Sequence, residues 1–483
     1  MMTLLGWIAG VLIVFQACIG LAFFVSSVWE NERRASIFGA LQLLGMIGLA
    51  VIFFYLLAIR FFETEIGGYL LIIGLLAAAG GIMALIWRTS SNPRALKGTY
   101  GAIVGEVRRV DERLQVFARN RSIRPHSEQY EIFYQNHPEL EEYDAHRREK
   151  GGPLGQPGAI DRPHSLPNVA ATLASLSIPM HLSAPDIYHP QQHPAFGGQT
   201  LSLSREEATT RVKGYALSLG ADLVGIAEIN PLWVYSHRGE IFDEEWENWG
   251  AQIELEHPYA VVFAEEMEVD PVGTAPHTPT TIESMRNYAK GAFIATQLAG
   301  FIANLGYSAT ANHLRHYDTV LVPLAVDAGL GEVGRLGYLL TKKYGPRIRL
   351  SAVTTDLPLV PDAPVDIGVE DFCGICKKCG VCCPSKSIPL DDIIEVNGTL
   401  RWKLNAETCF DYWGKVGTDC NICMRVCPWS HADTLPHRLI KWLVSRNKIS
   451  RRLFSVMDDI FYGKNPKPRS AEKWAHFKAG EPG

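Results

Sequence analysis

Three long stretches without a charged residue fill most of the first ninety positions of this 483-residue chain. They run from Leu4 to Trp29, from Ala35 to Ile59 and from Ile66 to Trp87. Each is long enough to cross the roughly 30 Å hydrocarbon layer of a bilayer as a helix. Three such stretches in succession are too apolar for the buried hairpin of a water-soluble protein. Residues 1–90 are therefore predicted to be a transmembrane anchor of three helices, which makes membrane lipid a partner of the chain.

The basic residues around these stretches predict which way the anchor faces. Five of them follow the first and third stretches: Arg33, Arg34, Arg88, Arg94 and Lys97. The second loop, residues 60–65, holds one arginine and two glutamates. Because cytoplasmic loops carry the excess of Lys and Arg, the first loop and everything after the third stretch are expected inside. The prediction is a multi-pass protein of the inner (cytoplasmic) membrane whose soluble part faces the cytoplasm.

The pair Arg33-Arg34, followed by an apolar stretch, also resembles a twin-arginine export signal. Such a signal normally opens a chain, whereas here a full apolar stretch precedes the pair. No small-residue cleavage site follows the second stretch. We therefore interpret the two arginines as loop charges.

The soluble part is expected to begin with a loop-rich region, residues 91–200, that is rich in Pro, Gly, His and charge. Regular patterns start near Leu201, where a capping box at Ser204 predicts a helix to about Leu219. Further apolar patterns predict strands at 222–228, 260–264 and 350–355 and a helix over 283–305. Helices that alternate with strands favour an α/β fold for residues 201–365. The net charge of −5 gives no sign of a nucleic-acid partner.

A glycine-rich turn lies inside this domain, at Gly329-Leu330-Gly331-Glu332-Val333-Gly334. It resembles a dinucleotide-binding loop only loosely, because no clear strand leads into it and no P-loop lysine follows. Absent side chains let a ligand approach the backbone closely. The turn therefore favours a large flat cofactor over a nicotinamide.

Nine of the ten cysteines lie between Cys373 and Cys427, which indicates metal binding and not a disulfide scaffold. Cys373-x2-Cys376-x2-Cys379-x3-Cys383-Pro is the bacterial ferredoxin run, in which the fourth cysteine ligates the other cluster. The second run is Cys409, then Cys420-x2-Cys423-x3-Cys427-Pro. Zinc ribbons would need paired C-x2-C units separated by a longer loop. Residues 366–435 are therefore predicted to form a ferredoxin-like domain with two [4Fe–4S] clusters, followed by a C-terminal tail, residues 436–483.

Pairing the runs in the ferredoxin manner gives two ligand sets. The first is Cys373, Cys376, Cys379 and Cys427, and the second is Cys383, Cys409, Cys420 and Cys423. The long gap from Cys409 to Cys420 departs from a simple ferredoxin repeat and leaves the last partner of the second cluster open. Cys382 is expected to be a small packed residue.

An α/β domain followed by this cysteine arrangement resembles the corrinoid-dependent reductive dehalogenases, over about residues 201–431. The stretches that carry the resemblance, besides the cysteine runs, are 220–225 (GADLVG), 305–309 (LGYSA), 328–335 (AGLGEVGR), 345–350 (GPRIRL) and 355–359 (TDLPL). The resemblance implies a nitroreductase-like domain that binds a corrinoid, base-off cobalamin without a protein ligand to cobalt. Respiratory members are usually held by a separate membrane protein, so this chain resembles a self-anchored form.

The resemblance also implies roles for individual residues. Tyr288, nineteen residues before Tyr307 of the Leu-Gly-Tyr stretch, matches the family's proton donor, and Arg349 matches its cationic partner. Spacing by itself leaves open that Tyr288 is a core aromatic and Arg349 a surface residue at a strand end. Five residues are predicted to contact the cofactor: Asn312, His313, Gly329, Gly331 and Arg335. Either Asn312 or His313 could instead face the substrate.

The predicted function is therefore a membrane-anchored reductive dehalogenase that replaces halogen by hydrogen on a halogenated organic molecule. The electron donor is expected to be a separate molecule, which could be a ferredoxin, a flavoprotein or quinol, and a homodimer is left open. Two alternatives remain. One is a corrinoid and iron–sulfur reductase like epoxyqueuosine reductase, and the other is a membrane-bound electron-transfer subunit without corrinoid.

Overall fold

The computed structural model describes residues 2–87, 91–149, 166–182, 200–241, 247–314 and 316–475. Arg88, one of the residues used to predict the orientation, lies outside this part of the chain. The helices are α1 Met2–Trp29, α2 Arg33–Ala58, α3 Glu65–Ile86, α4 Val116–Ser122, α5 Glu128–Asn136, α6 Pro138–Glu149, α7 Leu166–His181, α8 Arg205–Ser218, α9 Val269–Gly273, α10 Thr278–Asn304, α11 Leu321–Asp327, α12 Val369–Cys376, α13 Lys378–Cys382, α14 Ala406–Val416, α15 Ile422–Arg425, α16 Leu435–Val444 and α17 Lys448–Phe461. The strands are β1 Leu223–Glu228, β2 Tyr259–Glu266, β3 Ala309–Asn312, β4 Glu332–Val333, β5 Leu339–Leu340, β6 Ile348–Thr355, β7 Ile394–Val396 and β8 Thr399–Arg401.

The chain divides into two compact units. The first comprises Met1–Ser91, Ile367–Cys376 and His431–Pro466. The second comprises Asn92–Asp366, Lys377–Ser430 and Lys467–Gly483. The cysteine-rich segment is therefore shared between the two units, and each unit is described by itself below.

The first unit contains α1, α2 and α3, which are long and apolar enough to cross a membrane. They coincide with the three uncharged stretches of the sequence. Helix α1 packs along α2, while α12 packs on α17 and α16 on α17 in the same unit. The residues expected to be a C-terminal tail thus include two regular helices.

The second unit is built on a four-stranded sheet in the order β1-β2-β6-β3. All three strand pairings are antiparallel. The alternation of helices and strands had favoured an α/β fold, whereas an antiparallel sheet with helices on its faces is an α+β arrangement. Periodicity reports which side chains are buried, but strand direction depends on how each long connection returns to the sheet.

Side chains of successive strand residues point to opposite faces, and each face is covered by helices. Val261 and Phe263 of β2 join the core formed with α8 and α10, whereas Val262 and Ala264 join the core formed with α11. Helix α10 contributes Ile294, Leu298 and Ile302 to the first core, all of them fully buried. The sheet therefore fixes α10 along its length, which sets the position of every residue on that helix.

Candidate active site and iron–sulfur ligands

Tyr288 and Arg349, which are 61 positions apart in the chain, are brought into contact by α10 and β6. The guanidinium carbon of Arg349 lies 5.1 Å from the centre of the Tyr288 ring. At this distance the cation is attracted to the face of the ring. The arrangement can hold a phenol beside a fixed positive charge, as proton donation from tyrosine requires.

Arg349 is itself paired with a carboxylate. Its Nη2 atom donates to Oδ2 of Asp419 at 3.0 Å and to Oγ of Ser284 at 2.6 Å. Burial tends to lower the pKa of Arg349, but Tyr288 and Asp419 outweigh it, so the net pKa is raised. Arg349 therefore stays a cation although it lies inside the protein.

Asp419 is only 4% exposed, and two hydroxyls of α10 bind it. Thr281 donates to Oδ1 at 2.9 Å, and the Ser284 hydroxyl donates to Oδ2. Tyr288 follows Ser284 by four residues, so it lies one turn further along the same face. Asp419 thus links three elements: α10, which carries Tyr288, β6, which carries Arg349, and the loop that leads to Cys420.

The sequence analysis did not single out Asp419. Two signals could have found it: an acidic residue directly before a cysteine of the second run, and the hydroxyl residues at positions 281 and 284, which lie three apart on one face of α10. The next two residues, Cys420 and Asn421, have φ values of 64° and 54°. Left-handed backbone is uncommon for residues other than glycine and is often found at functional sites.

Four cysteines of the second unit form one electrostatic group: Cys383, Cys409, Cys420 and Cys423. Burial raises the pKa of Cys409 to about 11, with Cys383 raising it further. Burial also raises the pKa of Cys420 to about 12, with Cys409 and Cys383 adding to the effect. The pKa of Cys423 is raised well above its usual value by burial and then by Cys420 and Cys409. Cys379 of the other predicted set acts on Cys423 as well, so the division of these cysteines between two clusters stays a prediction.

This donor set fits an iron–sulfur cluster. Crowded, buried thiols disfavour free thiolates, but iron binds the deprotonated sulfur and removes that cost. Cysteine thiolates are the ligands of a [4Fe–4S] cube. The same four residues would therefore hold one cluster.

Helix α14, which carries Cys409, is fixed by buried ion pairs inside the second unit. Arg119 lies 2.7 Å from Asp144 and 2.7 Å from Glu407 of α14. Arg147 lies 2.8 Å from Glu407 and 2.8 Å from Asp411, also of α14. The region expected to be loop-rich thus supplies helices α4 and α6, which hold a ligand-bearing helix in place.

Tyr338 is a phenol close to both the cysteine group and Arg349. Burial raises its pKa well above the usual value, Cys423 and Cys409 raise it further, and Arg349 lowers it. The side chain of Tyr338 also packs beside Cys423 and Met424 in a small apolar cluster. The second cysteine set and the Tyr288–Arg349 pair therefore share one neighbourhood.

The first predicted ligand set draws on both units. Cys373 and Cys376 belong to α12 of the first unit, whereas Cys379 and Cys427 belong to the second unit. Cys373, Cys379 and Cys427 are buried, and Cys376 is partly exposed. Their assignment to one cube stays a prediction.

Two of the predicted cofactor contacts lie at the end of β3. Asn312 is fully buried, and its Oδ1 atom accepts the Asp318 backbone N–H at 2.8 Å. The backbone of His313 pairs with His316 in a short bridge. The Asn312 side chain thus closes the turn that follows β3, and a role for either residue at a cofactor or substrate stays a prediction.

The glycine-rich turn is tightly surrounded by the protein's own backbone. A Cβ atom at Gly329 would lie 2.5 Å from the Ala363 oxygen, and one at Gly331 would lie 2.1 Å from the Leu340 oxygen. Arg335 is fully buried, and its Nη1 atom donates to the Pro389 and Asp391 carbonyls at 2.8 and 2.7 Å. Packing within the chain accounts for Gly329, Gly331 and Arg335, so their contact with a corrinoid also stays a prediction.

Glu265 of β2 is a second buried polar residue that the sequence analysis did not single out. It lies opposite Arg349 in the β2–β6 register. Neither carboxylate oxygen has a hydrogen-bond partner within the described residues. Burial raises the pKa of Glu265 well above 4.5, because a low-dielectric surrounding disfavours the charged form.

Comparisons with known proteins support the resemblance. The tetrachloroethene reductive dehalogenase of Desulfitobacterium hafniense is 32% identical, over 48% of this chain and 50% of that protein. That of Sulfurospirillum multivorans is 31% identical, over 56% of this chain and 59% of that protein. The epoxyqueuosine reductase of Cyclobacterium marinum is 35% identical, but over only 24% of this chain. No family model matches the chain.

A solved catabolic reductive dehalogenase has a similar structure. It aligns with a TM-score of 0.58 and 26% identity, covering 79% of this chain and 49% of that one. Another structure of that protein contains 3-bromo-4-hydroxybenzoic acid, and a further reductive dehalogenase structure is described in terms of B12-dependent dehalogenation. The chain spans about half the length of the relatives it matches. The predicted resemblance to reductive dehalogenases is therefore confirmed.

Proposed function

Because this chain is a relative of the corrinoid-dependent reductive dehalogenases, we propose that it replaces halogen by hydrogen on a halogenated organic molecule. The observation that carries the proposal is the contact of Tyr288 with Arg349 beside the second cysteine set. Replacing halogen by hydrogen consumes two electrons and one proton. The chain offers a proton at the phenol and an electron path at the cysteines.

Tyr288 would donate its hydroxyl proton to the carbon that loses the halide. Donation leaves a phenolate, which the Arg349 cation stabilises at close range. Asp419 and Ser284 hold the guanidinium from its other side, so Arg349 keeps one orientation during the transfer. A bound corrinoid would supply the reduced cobalt that breaks the carbon–halogen bond.

Two [4Fe–4S] clusters would carry electrons to this site. Cys383, Cys409, Cys420 and Cys423 would hold the cluster nearer to Tyr288, with Tyr338 packed beside Cys423. Cys373, Cys376, Cys379 and Cys427 would hold the cluster that accepts electrons from outside. The external donor would be a ferredoxin, a flavoprotein or quinol.

The helices α1, α2 and α3 would anchor the chain in the inner membrane, with the second unit in the cytoplasm. This orientation follows from the basic residues of the first loop, Arg33 and Arg34, and from Arg94 and Lys97 after the third helix. A reporter active only in the cytoplasm, fused after Gly483, should work. Activity of a periplasmic reporter at the same place would overturn this orientation.

The activity can be tested on the full chain purified from a corrinoid-supplied host. We expect corrinoid absorption in the visible spectrum, about eight irons per chain, and halide release from members of a halo-organic panel with a chemical reductant. The Tyr288→Phe variant is the matched control, because it should keep both cofactors and lose halide release. Iron without corrinoid would support an electron-transfer subunit, and turnover of an epoxide-bearing nucleoside in place of organohalides would support an epoxyqueuosine reductase activity.

A further inference from the structure

Helix α17 of the first unit exposes its apolar face. Ile449, Leu453, Val456 and Ile460 are 58%, 42%, 59% and 45% exposed. Their spacing of four, three and four residues places them in one stripe along the helix. We call these four residues the α17 stripe.

The opposite side of α17 is buried and includes polar and charged residues. Ser450 is fully buried, and Arg451 and Asp458 are each 8% exposed. Arg451 donates to Oδ2 of Asp371 at 2.9 Å, and Asp458 lies 2.6 Å from Nε2 of His431. A helix on the surface of a water-soluble protein has the reverse arrangement, with its apolar stripe against the core.

Helix α16 repeats this inverted pattern. Leu435, Leu439 and Trp442 are 73%, 40% and 36% exposed and lie three or four residues apart. The buried face of α16 includes His437 and Lys441. Two consecutive helices therefore turn apolar residues outward while their polar residues make contacts inside the first unit.

The turn between α16 and α17 is bonded to the end of α3. Nδ2 of Asn447 donates to the Leu85 and Trp87 carbonyls at 2.7 and 3.0 Å. Nε of Arg446 donates to the Ile86 carbonyl at 2.7 Å. These bonds satisfy carbonyls that the end of a helix leaves without a partner.

The other end of α17 is bonded to the start of α2. Nε of Arg34 donates to the Ile460 carbonyl at 2.8 Å. Helix α17 is therefore attached to the points where two of the apolar helices begin or end. If these helices cross a bilayer, their ends mark its boundary with water.

We propose that α16 and α17 lie in the lipid–water interface of the leaflet at the Arg34 end of α2, with their apolar stripes inserted among acyl chains. An amphipathic helix in this position buries its apolar face at the headgroup boundary, and Trp prefers the same depth. Lys448 and Arg452 flank the α17 stripe and are exposed, so they can contact anionic headgroups. The occupant of the exposed stripes is thus phospholipid, and the proposal rests on the proposed membrane anchoring but not on the dehalogenase activity.

The full chain, reconstituted in vesicles of phosphatidylcholine and phosphatidylglycerol, provides the test. A photoreactive benzophenone amino acid is placed at Leu453 in the stripe, at Ser455 off the stripe as the matched control, and at Leu44 on α2, which is 66% exposed. We expect several-fold more lipid adduct at position 453 than at position 455, and strong lipid labelling at position 44.

Each other outcome counts against the proposal. Labelling of lipid at position 44 but not at 453 overturns the interfacial placement and leaves the anchoring intact. No lipid adduct at either position overturns both. Adducts between two protein chains at 453 would show that a second copy covers the stripe.

A second measurement requires no substitution in α17. Brominated lipids quench nearby tryptophan, and the contribution of Trp442 is the difference between the emission of the unmodified chain and that of the Trp442→Phe variant. We expect brominated lipids to reduce this difference. Trp442 emission that brominated lipids leave unchanged would overturn the proposal.

Discussion

Helices α10 and α17 carry similar apolar stripes in opposite surroundings. In α10, Leu298 and Ile302 are fully buried against the central sheet of the second unit. In α17, Leu453 is 42% exposed while Arg451 is 8% exposed. The comparison teaches that a periodic pattern defines the faces of a helix but does not tell which face the rest of the protein covers.

The buried polar residues of the two helices also differ in the residues that they bind. Thr281 and Ser284 of α10 bind Asp419, which in turn pairs with Arg349 beside Tyr288. On α17 the buried Arg451 binds Asp371, another residue of the first unit. In α10 the buried polar side chains contact Asp419 beside the proposed catalytic pair, whereas in α17 they make contacts that leave the apolar face outward.

The largest expected effect comes from a matched pair of truncations. Leu298→Ala removes a fully buried side chain of α10, and the cavity should lower the free energy of unfolding by about 2–5 kcal/mol. Leu453→Ala, on the exposed stripe of α17, should change it in detergent by no more than about 0.5 kcal/mol. The unfolding free energies of the two variants are compared by denaturant titration monitored by circular dichroism. Equal losses would contradict the assignment of opposite surroundings.

Tyr288→Phe tests the chemical role of α10. The change keeps the ring over which Arg349 lies and removes only the transferable proton. Halide release should fall on the order of a hundredfold or more, with iron and corrinoid contents unchanged. A Phe variant that remains active with full cofactor would move the proton donor elsewhere, and His313 would then be the next residue to test.

Glu265→Gln tests the pH dependence of the second unit. Burial raises the pKa of Glu265 well above 4.5 in the folded chain, so only the unfolded chain ionises as the pH rises past about 4.5. The wild type should therefore lose up to about 1.4 kcal/mol of stability per pH unit between that point and the raised pKa of the folded chain, relative to the variant. Denaturant titrations of both proteins at pH 5 and pH 7 measure the difference. Parallel pH dependences would show that Glu265 is ionised in the folded protein.

Asp419→Asn should have a smaller effect on turnover, about tenfold, because an amide oxygen still accepts from Arg349 while the charge is lost. Asp392→Asn, at an exposed position, is the control and should keep the wild-type rate. An Asp419→Asn variant with the wild-type rate would show that the carboxylate does not support the Arg349 cation during the reaction.

Much of the candidate site could be predicted from the sequence, because its signals are local. Cysteine spacing indicated the ligand set of Cys383, Cys409, Cys420 and Cys423. The structure brings these residues close to one another and to Cys379 of the other predicted set, and the assignment of ligands to each cluster stays a prediction. The roles of Tyr288 and Arg349 were predicted only through the resemblance to reductive dehalogenases, because residue spacing by itself left both roles open. Asp419 was missed because its role depends on contacts with residues about 70 and 135 positions away.

The sequence by itself determined three apolar helices, three of the four strands of the central sheet and the two cysteine runs, because apolar periodicity and ligand spacing are properties of short segments. It missed β3. Only the tertiary structure decided the antiparallel direction of the strands, the pairing of Arg349 with Asp419 and the outward face of α17. Those features depend on which distant segments pack against one another. The hydrophobic effect stabilises any packing that buries apolar surface, so it does not select one arrangement by itself. For α17, polar contacts at Arg451, Asn447 and Asp458 determined the face, and its apolar stripe was left for lipid.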